Sequence, residues 1–313
     1  MELGEWSEIE RALGGRAVRG ELMSRHTTFR IGGPADLFVE ATSADDLRDL
    51  VLLARQVTVP YLVLGVGGNV LVSDAGIHGL VILNRAKNLS FQISNAESQR
   101  MEAESGVTLP ILAQECIKRG LAGMEWAIGV PGTVGGAVVG NAGAHGGDIA
   151  QSLAFARVLG VDGTVRDWSA QELEFGYRSS KLKSAVRHPA SDFRLPVVLA
   201  AGFELKQSAR EELEAKAAEF TERRKRTQPP GASTGSMFKN PPGGYAGRLI
   251  EAAGLKGARV GNAEISKVHA NFFVNLGGAS AADIYSLICI ARERVAAQFG
   301  VTLELEIQLV GEW

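Results

Sequence analysis

The residues predict an α+β chain: two mixed lobes followed by a separate α+β C-terminal domain. Three observations lead there. Helical apolar periodicity and strand alternation interleave from residue 43 to residue 310, and neither dominates. A charged helix over 209–226, ended by Gln228-Pro229-Pro230 where a helix cannot continue, marks a domain boundary near 208. Glycine makes up 38 of 313 residues, well above the usual share of about 7%. Most of the excess lies between residues 65 and 147 and between 231 and 278, the pattern of built turns and cradles.

Taken in order, residues 1–24 read as a helix and an approach segment. Ser43 to Gln56 is a helix opened by a Ser43/Asp46 capping box, with Leu47, Leu50, Val51 and Ala54 on one face. Pro60–Leu64, Val70–Ser73 and Leu80–Leu83 read as strands, closing a first lobe at about 25–84. The second lobe, about 85–208, starts with a strand at Met101–Ser105. A helix over Thr108–Arg119 follows, stopped by Gly120. Strands are expected near Ala154–Leu159, Thr164–Trp168 and Val197–Leu205, with a short helix capped by Ser169 and Glu172. In the C-terminal domain, 209–313, helices are expected at Ala209–Arg226, Gly247–Ala253 and Ser280–Phe299. Strands are expected at Asn271–Asn275 and Leu303–Val310. Glu304 and Glu306 would share one face of the last strand.

The composition narrows the function classes. Apolar content of 45% and charged content of 22% are those of a globular protein, and net charge is −2 with no basic face. A nucleic-acid partner is therefore not expected. The cluster Arg223-Arg224-Lys225-Arg226 ends a helix, where cations complement the dipole. No apolar window approaches the ~18 residues of a membrane span, and the acidic N-terminus lacks a signal-peptide core. A cytoplasmic protein is expected. Cys116 and Cys289 both fall in helical patterns among apolar residues, as buried free thiols do. His26, His78, His145 and His188 show no metal spacing, and no metal is expected.

The stretch GVPGTVGGAVVGNAGAHGG, from Gly129 to Gly147, holds eight glycines in nineteen residues. Backbone this bare lets a phosphate or a flat aromatic ring come close. Tight packing with no ligand is the competing reading. Gly65-Val66-Gly67-Gly68-Asn69 follows a strand but is not a dinucleotide fingerprint, because Val70 stands where the third glycine belongs. Two such segments in one chain favour a single extended diphosphate ligand. Gly231-Ala232-Ser233-Thr234-Gly235 matches a nucleophile elbow in letters only, since prolines flank it in place of a strand and a helix. Ser236-Met237-Phe238-Lys239-Asn240 is a loop by default. It also groups a hydroxyl for proton transfer with a cation for an anionic ligand. Phe175-Gly176-Tyr177-Arg178-Ser179 sets an arginine beside aromatics, useful for a carboxylate. His269 has the most site-like context of the histidines.

Taken together and in this order, these motifs resemble one family, the UDP-N-acetylenolpyruvoylglucosamine reductases (UDP-N-acetylmuramate dehydrogenases). The matching segments are RHTTFRIGG, LGVGGN, IGVPGTVGGAVVGNAGAHGG, FGYRSS, TQPPGASTGSMFKNP, AGRLIEAAGLKG, GNAEISKVHANFFVN and LELEIQLVG, covering roughly residues 20–311. The resemblance implies a two-lobed FAD-binding module of the vanillyl-alcohol-oxidase (PCMH) type over 25–208 and a substrate domain over 209–313. It implies noncovalent FAD against Gly65, Val66, Gly67, Gly68 and Asn69, and against Pro131, Gly132, Thr133, Gly135, Gly136 and Asn141. Ser236 is implied as proton donor, with Arg178 and Glu306 as its catalytic partners. Tyr177, Arg226, Gln228, Lys239, Asn240 and His269 are implied to face the substrate. Gly68 stands where many members have serine, and His26 where asparagine is usual. No lid-tyrosine insertion is present, so the chain resembles the shorter class.

The implied chemistry is a step in bacterial cell-wall peptidoglycan synthesis. Hydride passes from NADPH, by way of FAD, to the methylene carbon of a UDP-sugar enolpyruvyl ether. Arg178 and protonated Glu306 would stabilise the charge next to the carboxylate, and Ser236 would protonate the carbon. A monomer is expected. The rival readings are an oxygen-using FAD oxidase of the same fold and an inactive flavin-binding protein. The glycine segments lack the oxidase's covalent histidine or cysteine anchor, and the joint presence of Ser236, Arg178 and Glu306 opposes an inactive protein.

Overall fold

The computed structural model describes residues 3–93, 98–186 and 195–313. The chain forms two compact units. One comprises Met1–Val18, Leu37–Gly65 and Gly79–Glu222, the other Arg19–Asp36, Val66–His78 and Arg223–Trp313. This partition departs from lobes at 25–84 and 85–208, because 19–36 and 66–78 cluster with the C-terminal residues. For 66–78 the reason is a ladder invisible to local patterning, Val70–Val72 in parallel with Gln308–Val310, and 19–36 is tied in by bonds such as Asn275 Nδ2 to Phe29 O. A parallel pair needs a long connection, so its two strands lie far apart in the chain. The later division falls inside the helix Arg210–Thr227 and not at 208.

The first unit is built on a sheet of strand order Val165–Trp168, Leu153–Leu159, Val197–Gln207, Ser98–Glu104, Leu89–Ile93. Val197–Gln207 is central, and its first seven residues are all buried. That suits its unbroken apolar run, the signature of a strand covered on both faces. The helix Leu109–Lys118 lays Leu109, Leu112, Ala113 and Cys116 on this core and ends before Gly120, at φ +66°. A second cluster gathers Ile9 and Leu13 with Leu47, Leu50, Val51 and Ala54 of the helix Ala44–Gln56. Here the expected capping box is only half formed. Ser43 Oγ accepts from Asp46 N, but the Asp46 carboxylate takes the Thr42 N–H and the Arg16 guanidinium at 2.7 Å. A nearby cation competes successfully for a short side chain. Ser169 and Glu172 do exchange both cap bonds, yet they close a turn without a helix. Those bonds and Arg166 pull the Glu172 carboxyl down to about 2. The strand Leu89–Ile93 was not expected, although Leu89, Phe91 and Ile93 alternate with Ser90 and Gln92 as in a half-buried strand.

The second unit packs a small sheet, Arg259–Val260, Ala263–Ile265 and Phe273–Asn275, against the helix Ala281–Phe299. That helix carries the expected Ser280/Asp283 box in full and ends at Gly300 in the left-handed region. A further cap comes from a distant residue: Asp74 accepts the N–H groups of Ala281 (2.8 Å) and Ala282 (3.0 Å). A carboxylate at a helix N-terminus satisfies orphan donors and opposes the dipole. Asp74→Ala is expected to cost about 1–2 kcal/mol, read as a lower urea midpoint at unchanged slope; an unchanged midpoint would show the cap to be idle. The strand expected at Leu303–Val310 shrinks to Gln308–Val310. Leu303 and Ile307 are buried, whereas Leu305 and Leu309 are half-buried like Glu306 and Gln308, so the alternation reports burial only in part, and 301–307 lacks a continuous ladder.

Cys116 is a buried free thiol, and burial pushes its pKa up to about 12. Cys289 is free but only half-buried, contrary to expectation, because it lies beside the helix's buried stripe of Ile284, Leu287, Ile288 and Ala291.

Candidate active site

In the second unit the segment 232–239 lies between two others. On one side Ala232 bridges Asn275 and Ser236 bridges Phe272, and Met237 N donates to Asn271 O at 2.7 Å. On the other, Phe238 bridges Leu305, Glu306 N donates to Met237 O (2.9 Å) and Lys239 N donates to Glu304 O (2.9 Å). Met237 and Phe238 are fully buried and anchor the segment, while Ser236 on one flank and Lys239 on the other are half-buried. Asn271 locks it further, since its side chain accepts from Phe238 N and donates to Phe238 O. Sequence reasoning assigned Asn271 no role. Its one signal was its place in the motif His269-Ala270-Asn271-Phe272. Backbone pairing thus brings Ser236, Lys239 and Glu306 together on one small ribbon. Glu304 and Glu306 do not share the face of a regular strand. Glu304 is exposed and pairs with Lys239 Nζ at 3.2 Å, whereas Glu306 is half-buried.

Glu306 is also tied to the 66–69 turn. Asn69 Nδ2 donates to Glu306 O at 3.3 Å, and Gln308 N donates to Asn69 O at 2.9 Å. Gly67 is left-handed (φ +62°), and a Cβ there would overlap the backbone of His26 and Thr27. His26 in turn sits 2.9 Å from Glu21, and that hydrogen bond is the main cause holding the Glu21 carboxyl below its usual range. Asn240 commits its Oδ1 to Ala246 N (3.1 Å), capping the helix Ala246–Ala252. His269 is half-buried, and its Nδ1 accepts from Asn271 N. Burial first, then Lys256, lowers its pKa, so the ring is held neutral with the proton on Nε2. Arg226 is exposed and Gln228 half-buried at the end of their helix. Residues 231–235 have neither the strand before nor the helix after that an elbow requires.

In the first unit the glycine-rich stretch sorts into two kinds of glycine. Gly135, Gly143 and Gly147 are demanded by packing: a Cβ would press on Ser105, Asp148 and Trp126 respectively, and Gly65 likewise meets Thr133. Gly135 N–H is spent on Ser105 O (2.8 Å), and Gly132 O accepts from Leu109 N (3.0 Å). Gly136 and Gly140 are different. A Cβ on Gly136 would come no closer than 3.7 Å to Thr133 Oγ1, and one on Gly140 would meet nothing within 4 Å. Both lie in the helix Val134–Gly140, four residues apart and so on one face. Each glycine weakens a helix by about 1 kcal/mol relative to alanine, and packing gives these two no justification. A bare face of this kind fits a diphosphate or flat ring lying against backbone, as FAD would. The stretch therefore holds glycines demanded by packing and glycines left bare at different residues.

Asn141 ends that helix in the left-handed region (φ +43°), and its Nδ2 donates to Gly176 O at 3.0 Å. This bond fastens the Gly176–Ser179 turn, which carries exposed Tyr177 and half-buried Arg178. The guanidinium lies 5.8 Å from the Tyr177 ring centre. His145 stacks on Phe220 at 4.3 Å. His78 sits against Asp36, and His188 lies outside the described residues.

Comparison with known proteins adds to this geometry. Residues 227–310 match the UDP-N-acetylenolpyruvoylglucosamine reductase C-terminal domain family, and residues 35–169 match an FAD binding domain family. A UDP-N-acetylenolpyruvoylglucosamine reductase of Rubrobacter xylanophilus is 47% identical over 93% of this chain and 94% of its own length. One of Chloroflexus aggregans is 45% identical over 93% of this chain and 96% of its own. The crystal structure of the Thermus caldophilus reductase superposes with a TM-score of 0.76 at 37% identity, covering 94% of this chain and 98% of that one.

Proposed function

The chain belongs to the UDP-N-acetylenolpyruvoylglucosamine reductase family, and from that premise we infer that it reduces the enolpyruvyl ether of UDP-N-acetylglucosamine to UDP-N-acetylmuramate with NADPH. The carrying observation is near-full-length identity to named reductases together with intact Ser236, Arg178 and Glu306. FAD, when bound, supplies the hydride relay between NADPH and the enolpyruvyl methylene carbon. The bare Gly136–Gly140 face is the backbone surface suited to hold it.

In this reading Arg178 offers a planar, permanently charged donor to the substrate carboxylate, where charge develops in the transition state. Ser236 gives a proton to the carbon next to that carboxylate. A hydroxyl is a weak acid, so its usefulness depends on being fixed, which the backbone bonds of its ribbon support. Glu306 is the adjacent acidic group on the same ribbon. Lys239 faces the anionic end of the UDP-sugar, with Glu304 as its resting partner. Tyr177, Arg226, Gln228, Asn240 and neutral His269 complete the substrate contacts. We place the enzyme in the cytoplasm, where NADPH and UDP-sugars are found, as a monomer. No described helix is long and apolar enough to cross a membrane.

The purified protein is expected to be yellow, to bleach with NADPH without air, and to recover its colour on adding the enolpyruvyl substrate. Acid precipitation is expected to release all the colour into the supernatant, because no histidine or cysteine of the glycine segments stands as an attachment point apart from His145, which is stacked on Phe220. Colour retained in the pellet would refute noncovalent binding. Bleaching without recovery by substrate would refute the reductase reading.

A further inference from the structure

Around Arg178 lies a set of buried contacts that the hydride and proton chemistry does not use. The turn is closed by Gly176 N to Ser179 O (3.0 Å) and Ser179 N to Gly176 O (3.1 Å), and Arg178 itself is left-handed at φ +54°. A non-glycine residue resists that conformation, so it persists only where its surroundings over-determine it. Three buried side chains do so. Asn141, 6% exposed, donates Nδ2 to Gly176 O while its Oδ1 accepts from Ala150 N at 3.2 Å. Ser180, 1% exposed, donates to Val139 O at 2.6 Å and accepts from Lys183 N at 3.2 Å. Lys183, 8% exposed, donates Nζ to Arg178 O at 3.0 Å.

We propose that Lys183 and Asn141 are positioning residues that aim the Arg178 guanidinium, by holding the Arg178 and Gly176 carbonyls of its turn. Burying an ammonium is costly unless it is well hydrogen-bonded. A surface turn needs no such group merely to exist. The cost is retained where the backbone direction of one residue matters, and that residue is Arg178. Asn141 follows the same logic. Expected from its motif to touch the cofactor, it instead has both ends of its amide engaged within the chain, between Ala150 and the arginine's turn. The proposal rests on the reading that Arg178 meets the substrate.

The test uses the FAD-loaded enzyme by rapid mixing, with variants Arg178→Ala, Lys183→Met, Asn141→Asp and the double variant Arg178→Ala/Lys183→Met. Lys183→Met and Asn141→Asp should each slow the substrate-driven return of oxidised absorbance by about 10- to 100-fold, as small misplacements of a reacting group do. FAD affinity and the rate of NADPH bleaching should stay within about twofold, since neither depends on the aim of Arg178. In the Arg178→Ala background, Lys183→Met should add nothing, because residues acting through one another are not additive. Full additivity, or equal slowing of both half-reactions, overturns the positioning role. Flavin loss in Asn141→Asp would make Asn141 a cofactor contact and overturn its share. Normal reoxidation by Arg178→Ala would instead refute the underlying assignment of Arg178. Normal reoxidation by Lys183→Met beside a slow Arg178→Ala refutes the present proposal alone. If Lys183→Met does not fold, Asn141→Asp carries the same comparison.

Discussion

Arg178→Lys is expected to keep the charge at the turn and lose most of the activity with the enolpyruvyl substrate. A guanidinium presents a rigid planar fork that pairs with a carboxylate through two parallel bonds, whereas an ammonium is a point charge on a flexible stem. The loss should fall at about 2–4 kcal/mol of transition-state stabilisation, the range for removing one donor at a developing anion. The backbone that holds the turn is untouched by this change: the Gly176–Ser179 bridge, the Asn141 bond to Gly176 O and the Lys183 bond to Arg178 O all involve main-chain atoms of the turn. The deficit therefore belongs to the side chain. Stopped-flow recovery of flavin absorbance after NADPH reduction is the appropriate measure, and near-normal recovery in the lysine variant would remove Arg178 from the reacting centre.

Ser236→Ala should separate the two half-reactions. The hydroxyl is assigned only to protonating carbon after hydride has arrived there, so NADPH should bleach the variant at close to the normal rate. Anaerobic substrate should then fail to restore the colour, by about 10²- to 10⁴-fold in rate, the usual worth of a positioned general acid. Folding should survive, because the segment is held through main-chain bonds and by buried Met237 and Phe238, not by the Ser236 hydroxyl. Equal slowing of both halves would make Ser236 structural. Unimpaired recovery would pass the proton to another donor. Glu306 is the first candidate, since its N–H is bonded to Met237 O, one residue from Ser236.

Local chemistry was legible in the sequence. The helix at 281–299 announced its start through Ser280 with Asp283, because such caps are satisfied by near neighbours. A strand was expected at Val197–Leu205 and is found at Val197–Gln207, and the site motifs followed from their residue types and order. What local signals could not carry was pairing between distant segments. The parallel ladder joining Val70–Val72 to Gln308–Val310 leaves no trace in either segment's periodicity. Yet that ladder moves 66–78 into the C-terminal unit and, through Asn69, ties the glycine turn to Glu306. The same limit explains Asp46, whose cap bond was lost to Arg16, and Asn141, whose amide serves the arginine's turn. By itself the sequence determined which groups the protein carries, because chemistry resides in side chains. Only the tertiary structure decided which glycines are closed by packing, which lie bare, and which polar groups serve to hold others in place, because hydrogen-bond partners and steric contacts are properties of approach in space.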